Sequence, residues 1–316
     1  MTDSGEDGKR GNSHKLVLMG KSKSGKTSMQ SIIFANLTPP ETGHIGFTLD
    51  VNKSDYKFLG MNLSINDCAG QDKLVEHYLK NPIQHFTDIK VFIYVFDVLF
   101  IKDEELLMFR RTMEQLEKYS PKASVFVLIH KMDMIDEKAR TTKFEEGKQQ
   151  ILKNMTKNMD VTQFFGTSIW DVTLYNAWSK IIQTLLPDLK FLTDCLSDIC
   201  KISECDEIIL FEKYTFLIIA YYEKNPNTKS VVKYERISQI VKLFKMSCNK
   251  VGSDISMMNI SNNSFEAVID DFTANTFILL VSKNKNVGTS ALKLNIACAK
   301  SYFKQHSNKV ANILFE

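Results

Sequence analysis

Leu16-Val-Leu-Met19-Gly20-Lys21-Ser22-Lys23-Ser24-Gly25-Lys26-Thr27, continued by SMQSIIFAN to residue 36, is the stretch that decides the fold. Four apolar residues that end at a glycine read as a buried parallel strand. Residues 27–36 read as a helix. Between strand and helix lies the spacing G-x-x-x-x-G-K-[ST], in the setting where that spacing holds phosphate. Gly20 and Gly25 let the backbone curl so that successive N–H groups face phosphate oxygens, and the helix N-terminus adds its positive end. The candidates for phosphate contact are Lys21, Ser22, Lys23, Ser24, Gly25, Lys26, Thr27 and Ser28. Of these, Lys26 is expected to bridge the β- and γ-phosphates of a nucleoside triphosphate, and the Thr27 hydroxyl to ligate Mg²⁺.

Outward from this loop the chain repeats the same grammar. Residues 61–66, 91–98 and 124–130 are further apolar strands, and another ends near Thr167. Helical patterns lie between them at 104–119, 141–159 and 173–186; Leu106, Phe109, Met113 and Leu116 share one helix face. Apolar strands alternating with helices predict an α/β fold, a doubly wound sheet covered on both faces. Pro187 ends this series. Beyond it, strands at 207–211, 215–222, 256–260, 265–270 and 276–282 are grouped between helices at 188–201, 231–246 and 291–302. That grouping predicts a smaller α+β domain with an antiparallel sheet. The expected division is a tail over 1–14, a nucleotide domain over 15–187 and a second, separately folding domain over 188–316. The strands at 208–211 and 216–222 are long and apolar for a small domain and invite partner pairing or a covering helix; the pairing is the reading preferred here. In the helix at 231–246, Tyr234, Ile237, Val241 and Phe244 form the expected core face, and Lys233, Arg236, Gln239, Lys242 and Lys245 the solvated one.

Two further motifs follow the loop in order. Asp67-Cys-Ala-Gly70-Gln71 comes after the second strand. An aspartate at a strand end suits Mg²⁺ held through water. Gly70 can offer its N–H to a γ-phosphate, and Gln71 stands where a hydrolytic water would be oriented. His130-Lys131-Met132-Asp133 follows the fourth strand. A carboxylate at Asp133 can accept from guanine N1–H and the exocyclic amine, whereas adenine presents an acceptor there, so the motif favours GTP over ATP. The stem of Lys131 can pack along the base. A backbone N–H at Ser168 or Ile169 can reach the guanine oxygen. His130 has two readings, contact with the base or closure of the strand end.

Four motifs in this order resemble the Ras-like GTPases. Within them, HKMD at 130–133, the TSIWD run at 167–171, KSKSGKTSMQSIIFAN at 21–36, FLG at 58–60 and YVFDV at 94–98 are similar to the Rag (Gtr) branch. DCAGQD at 67–72 is similar to its A/B type. The resemblance implies a roadblock-like second domain used for dimerisation and a C/D-type Rag partner. It also implies GTP and GDP with Mg²⁺ as ligands, and Thr48 as the residue that reports the γ-phosphate and joins Thr27 and Asp67 around the metal. It further implies a relay of amino-acid availability to the TOR kinase complex at a lysosomal or vacuolar surface. Two departures stand out: Lys23 occupies a loop position that is often glycine, and no arginine lies between Gln30 and Asp72. Missing charge stabilisation in cis implies slow intrinsic turnover and a GTPase-activating protein (GAP) acting in trans. A GTP-stabilised scaffold with negligible turnover is the rival reading, and a trafficking GTPase a weaker third.

Composition narrows the alternatives. The 316 residues carry 40 basic and 37 acidic side chains, a net charge of +3, which argues against a nucleic-acid binder. Six cysteines are neither dense nor regularly spaced, and free thiols of a cytoplasmic protein are the expectation. No signal peptide, spanning segment or lipidation site is read, so recruitment to a membrane would need a scaffold.

Overall fold

A computed structural model describes residues 13–306 except 47, 60, 156–160, 162, 187, 226–229, 251, 253–256, 262 and 285. Most of the expected tail, Gly60 of the FLG run, the last residues of the helix expected over 141–159, the break at Pro187 and the strand start at Ser256 lie outside the described residues.

The first sheet contains β1 (Ser13–Met19), β2 (Asn52–Phe58), β3 (Met61–Asp67), β4 (Ile89–Asp97), β5 (Ser124–His130) and β6 (Gln163–Thr167), in the order β2-β3-β1-β4-β5-β6. Every neighbouring pair is parallel except β2 with β3. Alternation along β1 sends Leu16 and Leu18 to one face of the sheet and Val17 and Met19 to the other, and both faces are buried. The helices α1 (Lys26–Phe34), α2 (Asp72–Lys80), α3 (Pro82–Phe86), α4 (Asp103–Tyr119), α5 (Glu137–Lys153) and α6 (Thr173–Gln183) connect the strands. This is the doubly wound sheet expected from the strand–helix alternation. β2 was not legible because NKSDYKF is an edge strand, mostly exposed, and carries the charges that edges carry.

The second sheet is antiparallel: β7 (Glu207–Glu212), β8 (Ile218–Glu223), β9 (Met257–Ser261), β10 (Glu266–Asp271) and β11 (Thr276–Ser282), ordered β8-β7-β11-β10-β9. Ile278 and Leu280 of β11 face α7 (Leu189–Ile202) and α9 (Thr289–His306), whereas Phe277, Leu279 and Val281 face α8 (Ser230–Lys250). The smaller α+β unit thus has helices on both faces of its sheet.

The two sheets share a core. One buried cluster runs from Leu16, Met29 and Trp178 of the first half to Leu196, Ile208, Leu210 and Ile296 of the second. Polar groups reinforce it: Gln183 Nε2 donates to the carbonyls of Ile218 and Ile219 at 3.0 and 3.1 Å, and the Ile218 N–H donates to Ser179 Oγ at 3.0 Å. α6 therefore covers the outer edge of β8. Of the partner or covering helix expected for the strands at 208–211 and 216–222, β8 has the helix, which corrects the preference for a partner along these strands. β7 lies inside the sheet between β8 and β11, β8 is covered, and the edge left over is β9. The two halves meet where α6 packs on β8 and α8.

A second correction concerns α8. Val241 and Ile237 pack on the sheet as expected, but Phe244 is 48% exposed and Lys242 only 3%. Lys242 Nζ donates to the carbonyls of Ile32 at 2.9 Å and Ile33 at 3.4 Å, at the C-terminal end of α1, and lies over the ring of Tyr175. The last carbonyls of a helix have no partner within it, so a cation there satisfies two orphan acceptors and the negative end of the dipole. Burial pushes the Lys242 ammonium down to about 7, while the carboxylate of Glu212 opposes that shift.

Candidate functional site

The loop after β1 opens onto a cleft of about 370 Å³ at the carboxyl ends of the parallel strands, where open α/β sheets bind ligands. Ser22, Lys23, Gly25, Lys26, Thr27 and Ser28 line it on one side. α1 starts at Gly25 with no side-chain cap, so its first N–H groups are left for a ligand. Gly25 has φ +98°, and a Cβ there would meet the ring of His130 at 2.6 Å. Lys23, at the position where glycine is common, adopts the glycine-like backbone with φ +67°. Its departure from the expected pattern leaves the loop geometry intact. Lys26 is buried, and its Nζ donates to the carbonyls of Gly20 at 2.8 Å and Lys21 at 2.9 Å. Burial lowers its pKa and the nearby Asp67 raises it. Two expected loop contacts are placed differently. Ser24 is buried beneath the loop, and the Lys21 side chain faces a second cavity behind it.

Three oxygens from three separate segments converge beside Thr27. Its hydroxyl donates to Asp67 Oδ2 at 2.5 Å and lies 2.9 Å from Thr48 Oγ1, which in turn is 3.4 Å from Asp67 Oδ2. Asp67 Oδ1 is buried with no hydrogen-bond partner among the described residues. Burial raises the Asp67 pKa, and the two threonine hydroxyls lower it. An orphaned carboxylate oxygen beside two hydroxyls is a donor set suited to a hard divalent cation.

Gly70 closes the cleft beside the loop. Its carbonyl accepts from the Ser22 N–H at 2.9 Å, and a Cβ on Gly70 would stand 2.4 Å from Gly20 O and Ser22 N. Gln71 does not line the cleft: its Nε2 donates to the Thr48 carbonyl at 3.1 Å, and its Oε1 is buried without a partner among the described residues.

At the other end, Asp133 lines the cleft, and Ser168 Oγ donates to its Oδ1 at 2.6 Å. Ser168 Oγ accepts from the Trp170 N–H at 3.0 Å, while the Ser168 N–H donates to Thr173 Oγ1 at 3.0 Å. Ser168 therefore aims Asp133 rather than offering its own N–H, and Ile169 is the member of that pair at the cleft wall. Lys131, with φ +63°, sends its stem along the wall and pairs with Asp97 at 2.7 Å. His130 is buried, and its Nδ1 lies 2.8 Å from Thr167 Oγ1. Desolvation lowers its pKa to about 4 against the opposing pull of Asp133. The ring packs against Gly25 and also lines the cleft, a placement compatible with both of its readings. Sequence reasoning missed Trp170, which lines the cleft although it is 60% exposed. An exposed tryptophan in the TSIWD run was the available signal.

Residues 15–241 match the Gtr1/RagA G protein conserved region. The chain is 42% identical to Ras-related GTP-binding protein A of Dictyostelium discoideum over 302 residues, which covers 94% of this chain and 99% of that one. It is 41% identical to GTP-binding protein gtr1 of Schizosaccharomyces pombe, over 92% of this chain and 95% of that one. A more distant similarity joins it to GTP-binding protein GTR2 of Saccharomyces cerevisiae, 25% identical over 72% of this chain and 66% of that one.

Proposed function

This chain belongs to the Gtr1/RagA family of G proteins, and from that premise we propose that it is a GTP/GDP switch that hydrolyses GTP slowly. The observation that carries this reading is one cleft with a phosphate loop at one end and the aimed carboxylate of Asp133 at the other. Asp133 accepts from the guanine edge, the N–H groups at the start of α1 and the Lys26 ammonium meet the phosphates, and Gly70 approaches the γ-phosphate. Mg²⁺ fits the orphaned Asp67 Oδ1 and the two hydroxyls; Thr27 and Thr48 would hold it directly and Asp67 through water. Bound there, the ion neutralises charge on the β- and γ-phosphate oxygens. Gln71 Oε1 would orient the attacking water once the side chain leaves the Thr48 carbonyl and turns into the cleft. The lack of an arginine between Gln30 and Asp72 leaves a positive charge to be supplied by a GAP.

Gln71→Leu keeps GTP affinity and lowers GAP-stimulated single-turnover hydrolysis by about 10²-fold, the scale of losing one positioned group. An undiminished stimulated rate would sink the assignment of Gln71. The second reading, a GTP-stabilised scaffold with negligible turnover, draws on the same side chain, since Gln71 is turned to the Thr48 carbonyl and away from the cleft. It predicts no GAP stimulation even in the unmodified protein.

The same proposal divides the chain into a GTPase domain over 15–187 and a roadblock-like pairing domain over 188–316. It gives that second domain a C/D-type Rag partner. Support comes from the relatives of the GTR2 kind, from the outer surface of α8, where Ile240 and Leu243 join Phe244 in solvent, and from the open edge of β9. The pair would relay amino-acid availability to the TOR kinase complex, held by a scaffold at a lysosomal or vacuolar membrane; no described helix is long and apolar enough to cross one. Light scattering of this chain mixed with a GTR2-type chain should give the summed mass, and two separate monomer masses would refute the pairing.

A further inference from the structure

Helix α7 ends in a turn that brings two cysteines together. Glu204 adopts φ +50°, the Cys205 N–H donates to the Cys200 carbonyl at 3.1 Å, and the Glu204 N–H donates to the Lys201 carbonyl at 3.3 Å. This is the Schellman pattern, in which the residue after the left-handed one packs against the residue five positions earlier. That contact is commonly apolar; here both members are thiols. Cys205 Sγ lies 3.2 Å from Cys200 Sγ, and both side chains are buried.

We propose that Cys200 and Cys205 are a reversible oxidation site, a dithiol that hydrogen peroxide closes to an intrachain disulfide. The turn already holds the two sulfurs in register, so closure to the bonded separation of about 2.0 Å needs small side-chain rotations. The Cys205 S–H directed at Cys200 favours the Cys200 thiolate. That thiolate attacks one peroxide oxygen, the O–O bond breaks, and the departing hydroxide takes up a proton to leave water. The sulfenic acid on Cys200 is then attacked by Cys205, whose proton leaves with the hydroxyl as a second water. Two thiols lose two electrons and the peroxide gains them. An apolar groove of about 440 Å³ between α7 and α9 borders the turn; its wall includes Lys201, Ile202 and Ser203, three of the four residues between the cysteines.

Lys201 makes the test direct, because trypsin cuts between the two cysteines. The full-length protein is treated with hydrogen peroxide, its remaining thiols are alkylated, and it is digested without reductant. The expected product is residues 191–201 joined to 202–213, separated by dithiothreitol. The link should persist in Cys195→Ala, whose thiol lies on the same peptide, and vanish in Cys200→Ala. Full alkylation of both peptides after peroxide, or a link that survives Cys200→Ala, overturns the proposal.

Discussion

Asp133→Asn exchanges GTP for xanthosine triphosphate as the preferred ligand. The Asp133 carboxylate is aimed by Ser168 Oγ at 2.6 Å, and it lines the end of the cleft opposite the phosphate loop. An asparagine at the same place can turn its amide N–H₂ outward, and a donor there opposes guanine N1–H but meets the extra carbonyl of xanthine. Sites built to pair with a ligand's polar group reject the analogue that lacks it by about 10⁴-fold, and a reversal of preference on that order is expected. Competition of the two triphosphates for the variant measures it. Unchanged GTP preference would mean that Asp133 does not read the base, and the same measurement on Ser168→Ala would show a smaller loss if Ser168 only aims the carboxylate.

Gly70→Ala abolishes turnover by a different route. The added Cβ would meet Gly20 O and Ser22 N at 2.4 Å, and these are backbone atoms of the phosphate loop, not a flexible side chain. Either the loop opens or the 67–71 segment withdraws, and both break the hydrogen bond from Ser22 N–H to Gly70 O. Displacements of about 1 Å at a reacting centre cost roughly 10²-fold in rate. Single-turnover hydrolysis should fall by at least that factor while GDP affinity, which needs no contact from Gly70 to a γ-phosphate, stays close to that of the unmodified protein. Equal loss of GDP affinity would show a collapsed loop instead.

The phosphate loop, Asp67 and Asp133 were legible because each sits at the end of a short strand with buried apolar residues, so pattern and chemistry point to one place. Thr48 entered only through family resemblance, and the structure brings it to 2.9 Å from Thr27. β2 was illegible because its charged, exposed residues look like a loop. Lys242 was assigned to the solvated face because helical periodicity knows only one apolar side. Its burial depends on α1, more than 200 positions earlier in the chain, which no local pattern reports. The edge at β9 was missed for a similar reason: the most apolar strands, β7 and β8, are apolar because they are covered, not because they await a partner.

The lysine that reaches from α8 to α1 makes that helix a strut clamped at both ends. Nine residues of α-helix measure about 13 Å, too short to flex appreciably. Its first turn carries Lys26 and Thr27, and its last carbonyls rest on Lys242. One short helix thus joins the phosphate loop directly to α8, on whose outer surface Ile240, Leu243 and Phe244 stand in solvent.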